Sequence, residues 1–394
     1  MGDDSAERSD PREKDAAAGF EVHGEYRRFR QRDDIFSRSF WDDSVRSSKT
    51  EVFYATYRKP LEHFREVDGF TQNDYSLRNA AWYVTDIFAE RFESDDRREG
   101  FLDEFTVLRG AAAERRFISS PDDMASEIKR VGRAFGADLV GVTAYDERWV
   151  YERKFSAKTL EDKPNPIPPG LDHVIVIATS MDYDLIRTVP SALSGAATGL
   201  GYSRDTIALL SLGQYIRNLG FRAVESLNDT ALAVPFAIQA GLGEYGRHGL
   251  LITEEFGPRV RLGKIFTDLP LAHDRPRSFG VKEFCDICRR CTDACPPKAI
   301  PGGAPSKDTY NRSNLLGVTK WSVDAEKCFG FWVNQNSDCS ICIRVCPYNK
   351  DFSQWWHRLG RRLAATPLRR LLLWLDAALG YGARRTARWW WRKR

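Results

Sequence analysis

Cys285-Asp286-Ile287-Cys288-Arg289-Arg290-Cys291-Thr292-Asp293-Ala294-Cys295-Pro296 is the stretch that decides how this chain is read. In the spacing C-x2-C-x2-C-x3-C-P, the first three thiolates hold one 4Fe-4S cluster and the fourth reaches across to another. A second cluster then needs ligands of its own. Cys339-x2-Cys342-x3-Cys346-Pro347 supplies the mirrored half, and Cys328 is the last of the eight cysteines. The expected ligand sets are therefore Cys285, Cys288, Cys291 and Cys346 for one cluster, and Cys295, Cys328, Cys339 and Cys342 for the other. Four thiolates saturate the four irons of a cubane, so such clusters carry electrons and leave bond chemistry to another centre. Two structural zinc sites are the competing reading, but zinc ligands usually come as two spaced pairs and do not need the two Cys-Pro endings. Disulfides fit poorly with the tight C-x-x-C spacings and with the absence of cysteine from the first 284 residues.

Around this module lie 394 residues with 42% hydrophobic, 12% aromatic and 29% charged side chains, which is ordinary globular composition and enough for two or three domains. A net charge of +4 does not mark the whole molecule as a nucleic-acid binder, and no nucleic-acid partner is expected. No apolar run approaches the roughly 18 residues of a membrane span. Arg27-Arg28-Phe29 has the look of a twin-arginine export signal, yet Arg30, Arg32, Asp33 and Asp34 stand where the apolar region should begin. Cytoplasmic residence is the expectation.

Five segments are expected: a disordered tail over 1–19, an N-terminal unit over 20–119, a catalytic core over 120–280, the cluster module over 281–350 and a basic, Trp-rich segment over 351–394. In the core, Met124, Ile128, Val131 and Phe135 recur at helical spacing before Gly136, and strands are expected over 138–143 and 173–179. Leu209, Leu212, Ile216 and Leu219 form one face of a second helix that Ser203 would cap and Gly220 would stop. Glycines follow at Gly241, Gly243, Gly246 and Gly249, and by themselves they read as turn punctuation.

The run NDTALAVPFAIQAGLGEYGRHGLLITEEFGPRVRLGKIFTDLP (228–270), then GVKEFCDICRRCTDACPPKAI (280–300), W-x6-CFGFW and CSICIRVCP, resembles the corrinoid-dependent reductive dehalogenases. The likeness is close over 172–350 and looser over 20–382. It implies an α+β fold: a nitroreductase-like α/β cobalamin-binding core followed by a bacterial dicluster ferredoxin-like module. It also implies replacement of a carbon-bound halogen of an organohalide by hydrogen, using Co(I) corrinoid fed by the clusters. A ferredoxin or flavodoxin-type protein would be the electron donor.

Residue by residue, the resemblance makes Tyr202 the proton donor, Arg261 the basic group beside it and Asn228 a polar residue of the same pocket. A phenol with a pKa near 10 is a weak acid unless its anion is stabilised, which Arg261 and a helix starting at Ser203 would both do. Read without the family, Tyr202 is a packing residue, Arg261 an ion-pair partner and Asn228 a turn cap. The resemblance assigns Gly241, Gly243, Tyr245, Gly246, His248 and Gly249 to corrin contacts, with the corrinoid base-off and His248 no cobalt ligand. Phe40, Trp41, Phe331 and Trp332 are candidates for an apolar substrate chamber, or ordinary core aromatics.

The last segment, 351–394, carries 11 Lys plus Arg against 2 Asp, so it is +9 and the preceding residues are −5. Six tryptophans sit among those bases. It suits peripheral contact with an anionic membrane surface, or else folds back over the core. Two other functions remain open at this level: an epoxyqueuosine reductase-like tRNA-modifying enzyme, which would use a carboxylic acid as proton donor, and a ferredoxin-type electron-transfer subunit that would hold no corrinoid.

Overall fold

A computed structural model describes residues 11–58, 65, 67–90, 105, 110–157, 159–165 and 167–393. The described helices open with α1 (Pro11–Ala18), α2 (Ile35–Trp41), α3 (Ser48–Arg58) and α4 (Gln72–Glu90). The core then runs through α5 (Pro121–Ala134), β1 (Leu139–Ala144), β2 (Lys154–Ser156), β3 (Glu161–Lys163), β4 (His173–Ser180), α6 (Tyr183–Ile186) and α7 (Ala192–Asn218). It continues with β5 (Ala223–Ser226), α8 (Ala233–Gln239), β6 (Glu244–Tyr245), β7 (Leu251–Ile252) and β8 (Val260–Thr267). Short helices α9 (Val281–Ile287), α10 (Arg290–Ala294), α11 (Ala325–Gln335) and α12 (Ile341–Val345) carry the cysteine module. Helices α13 (Trp355–Ala364), α14 (Arg369–Ala378) and α15 (Ala387–Arg392) close the chain.

The central sheet has the order β1-β4-β8-β5 with every neighbouring pair antiparallel. Strand β4 is apolar without alternation because both faces of the sheet are covered. Its Ile175 and Ile177 join Ile128 of α5 and Leu209 and Leu212 of α7, while Val174, Val176 and Ala178 join Phe236 and Ala237 of α8. Period-two side chains thus feed two separate cores. Ser120 caps α5 by accepting from Asp123 N, and Gly136 at φ 104° ends the turn that follows.

Helix α7 corrects the sequence reading. It starts at Ala192, where Ser191 accepts from Ser194 N, so Ser203 is no cap and Tyr202 stands in mid-helix. The glycines before Tyr202 weigh locally against helix, each costing about 1 kcal/mol. Tertiary packing overrides that cost: a Cβ at Gly199 would lie 2.6 Å from the Trp82 ring, and one at Gly201 2.5 Å from Arg261 Cγ. The glycines let α4 and β8 approach the helix.

The described part of 20–119 is layered on this core through α4, which lies along α7, with Ser203 Oγ donating to the Ala81 carbonyl at 2.6 Å. Part of the expected tail is also ordered. Residues 11–18 form α1, held by the Asp15–Arg148 ion pair at 2.7 Å, and Phe20 packs edge-on against Trp149. The rest of that expectation, residues 1–10, lies outside the described residues.

Candidate active site and cluster module

A cavity of about 280 Å³ opens between the N-terminal helices, α7 and α11. Tyr202, Asn228 and Arg261 meet on its wall. Asn228 Nδ2 donates to the Tyr202 hydroxyl oxygen at 2.7 Å, and the Arg261 guanidinium carbon lies 5.5 Å from the Tyr202 ring centre. Trp82 backs the phenol with ring centres 5.1 Å apart. A phenolate formed there would keep both the amide bond and the cation.

The electrostatic balance at Tyr202 differs from the sequence expectation. Burial is the largest influence and raises the phenol above its ordinary value, while Arg261 and Asn228 pull it back only in part. No helix N-terminus assists, since Tyr202 lies well inside α7. The group is a reluctant acid, suited to protonating a strongly basic carbon and unsuited to losing its proton to water.

Asp205, one turn further along α7, is a feature that the sequence reading missed. It is fully buried, accepts from Thr179 Oγ1, and has a second carboxylate oxygen without a hydrogen-bond partner among the described residues. Burial pushes its carboxyl up to about 7, with Thr179, Arg261 and Arg204 opposing. A carboxyl raised this way stays protonated in the folded state while its unfolded counterpart ionises, so stability falls as pH rises from about 4 to about 7. Asp205→Asn is therefore expected to raise the melting temperature more at pH 8 than at pH 5, as thermal unfolding of both proteins at the two pH values would show.

The substrate-chamber candidates separate. Trp332 lines the cavity, but Phe40 and Trp41 do not. Phe40 stacks on Tyr54 at 5.3 Å, and the Trp41 indole donates to the Arg32 carbonyl beneath the Arg32 and Arg312 guanidinium groups. Phe331 instead packs against the buried cluster that contains Cys291 and Cys295. Phe36 and Phe40, four residues apart, share one face of α2, so place along the helix separates them: Phe36 reaches the cavity, while Phe40 stacks on Tyr54.

The glycine cluster forms the tight β6–β7 hairpin and its approach. The space a Cβ would fill is already taken by Arg275 O at Gly241 (2.5 Å), Ile252 O at Gly243 (2.2 Å) and His248 Cε1 at Gly246 (2.8 Å). Gly249 has φ 81°, and Tyr245 donates its hydroxyl to the Trp321 carbonyl at 3.1 Å. None of these residues lines the cavity. His248 is buried, with Nδ1 accepting from Leu250 N at 3.2 Å, and burial lowers it to about 4. Among the described residues the cavity presents no imidazole.

None of the eight cysteines forms a disulfide. Burial pushes Cys285, Cys291, Cys328 and Cys339 up to about 12, and Cys342 and Cys346 well above the usual thiol range. Their secondary influences fall into two groups. Cys285, Cys288 and Cys291 act on Cys346, whereas Cys295 and Cys328 act on Cys339 and, with Cys339, on Cys342, which also senses Cys291. Buried thiolates in two groups of four need a cationic core in each, as an iron-sulfur cubane provides. Among the described residues no three His, Cys, Asp or Glu side chains close on one point as they would around a single ion. A cubane spreads its thiolates over four irons and makes no such demand.

The second group of thiols touches the cavity wall. Trp332 follows Cys328 by one turn of α11 and lines the cavity. Asp338, next to Cys339, also lines the cavity and accepts from Thr198 Oγ1 of α7 at 2.9 Å. The first group packs the other way: Cys285, Cys288 and Cys346 share a cluster with Tyr348 and Ala364, against Leu372 and Leu373 of α14.

An antiparallel α+β core joined to a double-cluster module defines a class of redox protein, and comparison with known proteins places the chain within it. Residues 163–271 match the model of the reductive dehalogenase subunit, and residues 284–349 match that of the 4Fe-4S double cluster binding domain. Over these matched residues the chain is similar to the reductive dehalogenase family. It is 39% identical over 289 residues to a tetrachloroethene reductive dehalogenase of Desulfitobacterium hafniense, covering 64% of this chain and 52% of that protein. It is 36% identical over 294 residues to the tetrachloroethene reductive dehalogenase of Sulfurospirillum multivorans, covering 68% and 58%. The chain thus spans little more than half the length of these curated relatives. The solved structure of the catabolic reductive dehalogenase NpRdhA shares the fold, with a TM-score of 0.72 at 24% identity over 92% of this chain and 48% of that one.

Proposed function

We propose that the protein is a reductive dehalogenase, consuming two electrons and one proton to exchange a carbon-bound halogen for hydrogen and releasing halide. One observation carries this reading: the Tyr202–Asn228–Arg261 cavity shares its wall with residues adjoining two cluster thiols, through Trp332 beside Cys328 and Asp338 beside Cys339. Proton donor and electron supply converge on one small cavity.

At about 280 Å³ the cavity suits a small organohalide and is too small for a tetrapyrrole-sized ring. A corrinoid, when bound alongside, supplies the low-valent metal chemistry at the carbon–halogen bond. Tyr202 delivers the proton to the reacting carbon from its hydroxyl. Asn228 Nδ2 and Arg261 then hold the phenolate, and the Arg261 charge also attracts the departing halide. The aromatic walls from Tyr57, Trp82 and Trp332 exclude water. Cys285, Cys288, Cys291 and Cys346 would hold one cluster and Cys295, Cys328, Cys339 and Cys342 the other, and the pair would supply electrons taken from a small low-potential carrier of ferredoxin or flavodoxin type.

Anaerobic reconstitution with cobalamin, iron and sulfide, followed by halide release from a panel of aryl and alkyl halides with reduced methyl viologen, tests the reading. Corrinoid-dependent halide release is expected. A fully loaded protein that binds cobalamin and both clusters yet releases no halide from any member would refute it, and a protein that takes up clusters but no corrinoid would be an electron-transfer subunit. The cob(II)alamin form is expected to show an electron paramagnetic resonance spectrum without nitrogen superhyperfine splitting, unchanged in His248→Ala.

A further inference from the structure

We propose that the outer face of the α13–α14 hairpin is a docking surface for an anionic lipid bilayer. Among the described residues, eight of the seventeen exposed large apolar side chains lie between 355 and 391. Trp355 and Trp356, with Leu359 one turn on, project from α13. Leu368, Leu371 and Trp374 follow at three-residue intervals along one side of α14. Trp355 is 63% exposed, Leu371 51% and Trp374 64%. Monomeric soluble proteins rarely leave so concentrated a set uncovered without a partner.

The hairpin is not a loose tail. Its inner side is docked: Leu372 and Ala364 pack against the Cys285 and Cys346 region, and buried Asp376 pairs with both Arg290 and Lys350. Farther along, Ala387 N bonds Asp68 and the Trp391 indole donates to Asp74 at 2.9 Å. The two readings of 351–394 are thus compatible. One side of each helix folds back over the cluster module, and because the LLLWL run is apolar on every side, the opposite side remains apolar and uncovered.

Charge chooses the occupant. The segment 351–394 is +9, and its two acids are internally engaged, Asp376 in the buried pairs and Asp351 in a bond from Ser353 N. Arg358, Arg362 and Arg370 are exposed beside the apolar residues and form no ion pair among the described residues. A second copy meeting this face symmetrically would bring the same positive charge against it. An anionic lipid surface complements the charge, and the interfacial region accepts tryptophan. No described helix is long and apolar enough to cross a membrane, so the hairpin lies on the bilayer.

Such seating would put the bilayer one helix layer from the Cys285 group of thiols and on the far side of them from the cavity. The test uses the full-length, cluster-loaded protein with vesicles of phosphatidylcholine alone or with about 30% phosphatidylglycerol, at about 0.05 M and about 0.5 M salt. Sedimentation should show at least about tenfold stronger binding to the anionic vesicles at low salt, weakened at high salt, with a blue shift of tryptophan emission. The double variant Leu371→Glu/Trp374→Glu should lose about tenfold or more in binding while keeping its iron content. Arg358→Ala/Arg362→Ala/Arg370→Ala should lose the preference for anionic vesicles, and Phe117→Glu, exposed elsewhere, should bind as wild type. No binding at low salt, equal binding to neutral vesicles, or an equal loss in Phe117→Glu would overturn the proposal. So would self-association of the wild type, abolished by Leu371→Glu/Trp374→Glu, without vesicle binding: the face would then be an interface between copies.

Discussion

Tyr202→Phe is expected to lower halide release about 10²- to 10⁴-fold, the usual contribution of a positioned general acid, while cluster and corrinoid content stay at wild-type levels. Only the hydroxyl is lost. The ring keeps its place between Trp82 and Arg261, and the deleted oxygen leaves the Asn228 amide without its partner at 2.7 Å. Arg261→Ala is expected to act in the same direction, since burial already makes Tyr202 a weak acid and Arg261 is the largest influence opposing it. Because both substitutions act on one proton transfer, the double variant should be little worse than Tyr202→Phe alone. Near-normal turnover in Tyr202→Phe would make Tyr202 a packing residue. The next donor to test would be Asp34, which lines the same cavity and is raised by burial to about 6.

Cys328→Ala is expected to abolish turnover by removing the cluster nearest the cavity. Iron should drop from about eight atoms per chain to about four, because the other four thiolates still complete one cubane. The surviving cluster, held by Cys285, Cys288, Cys291 and Cys346, should then show the spectrum of an isolated centre. Retention of eight irons would remove Cys328 from the ligand set. Retention of activity with four would mean that electrons reach the cavity without the inner cluster.

The cysteine positions, the core strands and the helix over 121–134 were legible from spacing alone. Ligand spacing is dictated by cluster geometry, and a strand covered on both faces has no polar positions to blur it. Helix α7 was misread at its N-terminal end because the glycines at 195, 199 and 201 carry a local helix penalty whose compensation comes from Asp338, Trp82 and Arg261, distant in sequence. The aromatic candidates on α2 divided for a related reason. Composition names Phe40 and Trp41, but only the docking of α3 and α11 decides that Phe36 and Trp332 face the cavity.

By itself the sequence determined that the chain carries eight thiolates at double-cluster spacing, an apolar-centred core and a basic, tryptophan-rich end, since each follows from local residue type and interval. Tertiary structure alone decided that Tyr202 sits in mid-helix against Asn228 and Arg261, that Asp205 is buried one turn away, and that the hairpin keeps one apolar side uncovered. Those outcomes depend on burial and on contacts between residues far apart in the chain, and desolvation, the largest influence on both Tyr202 and Asp205, exists only once the chain has packed.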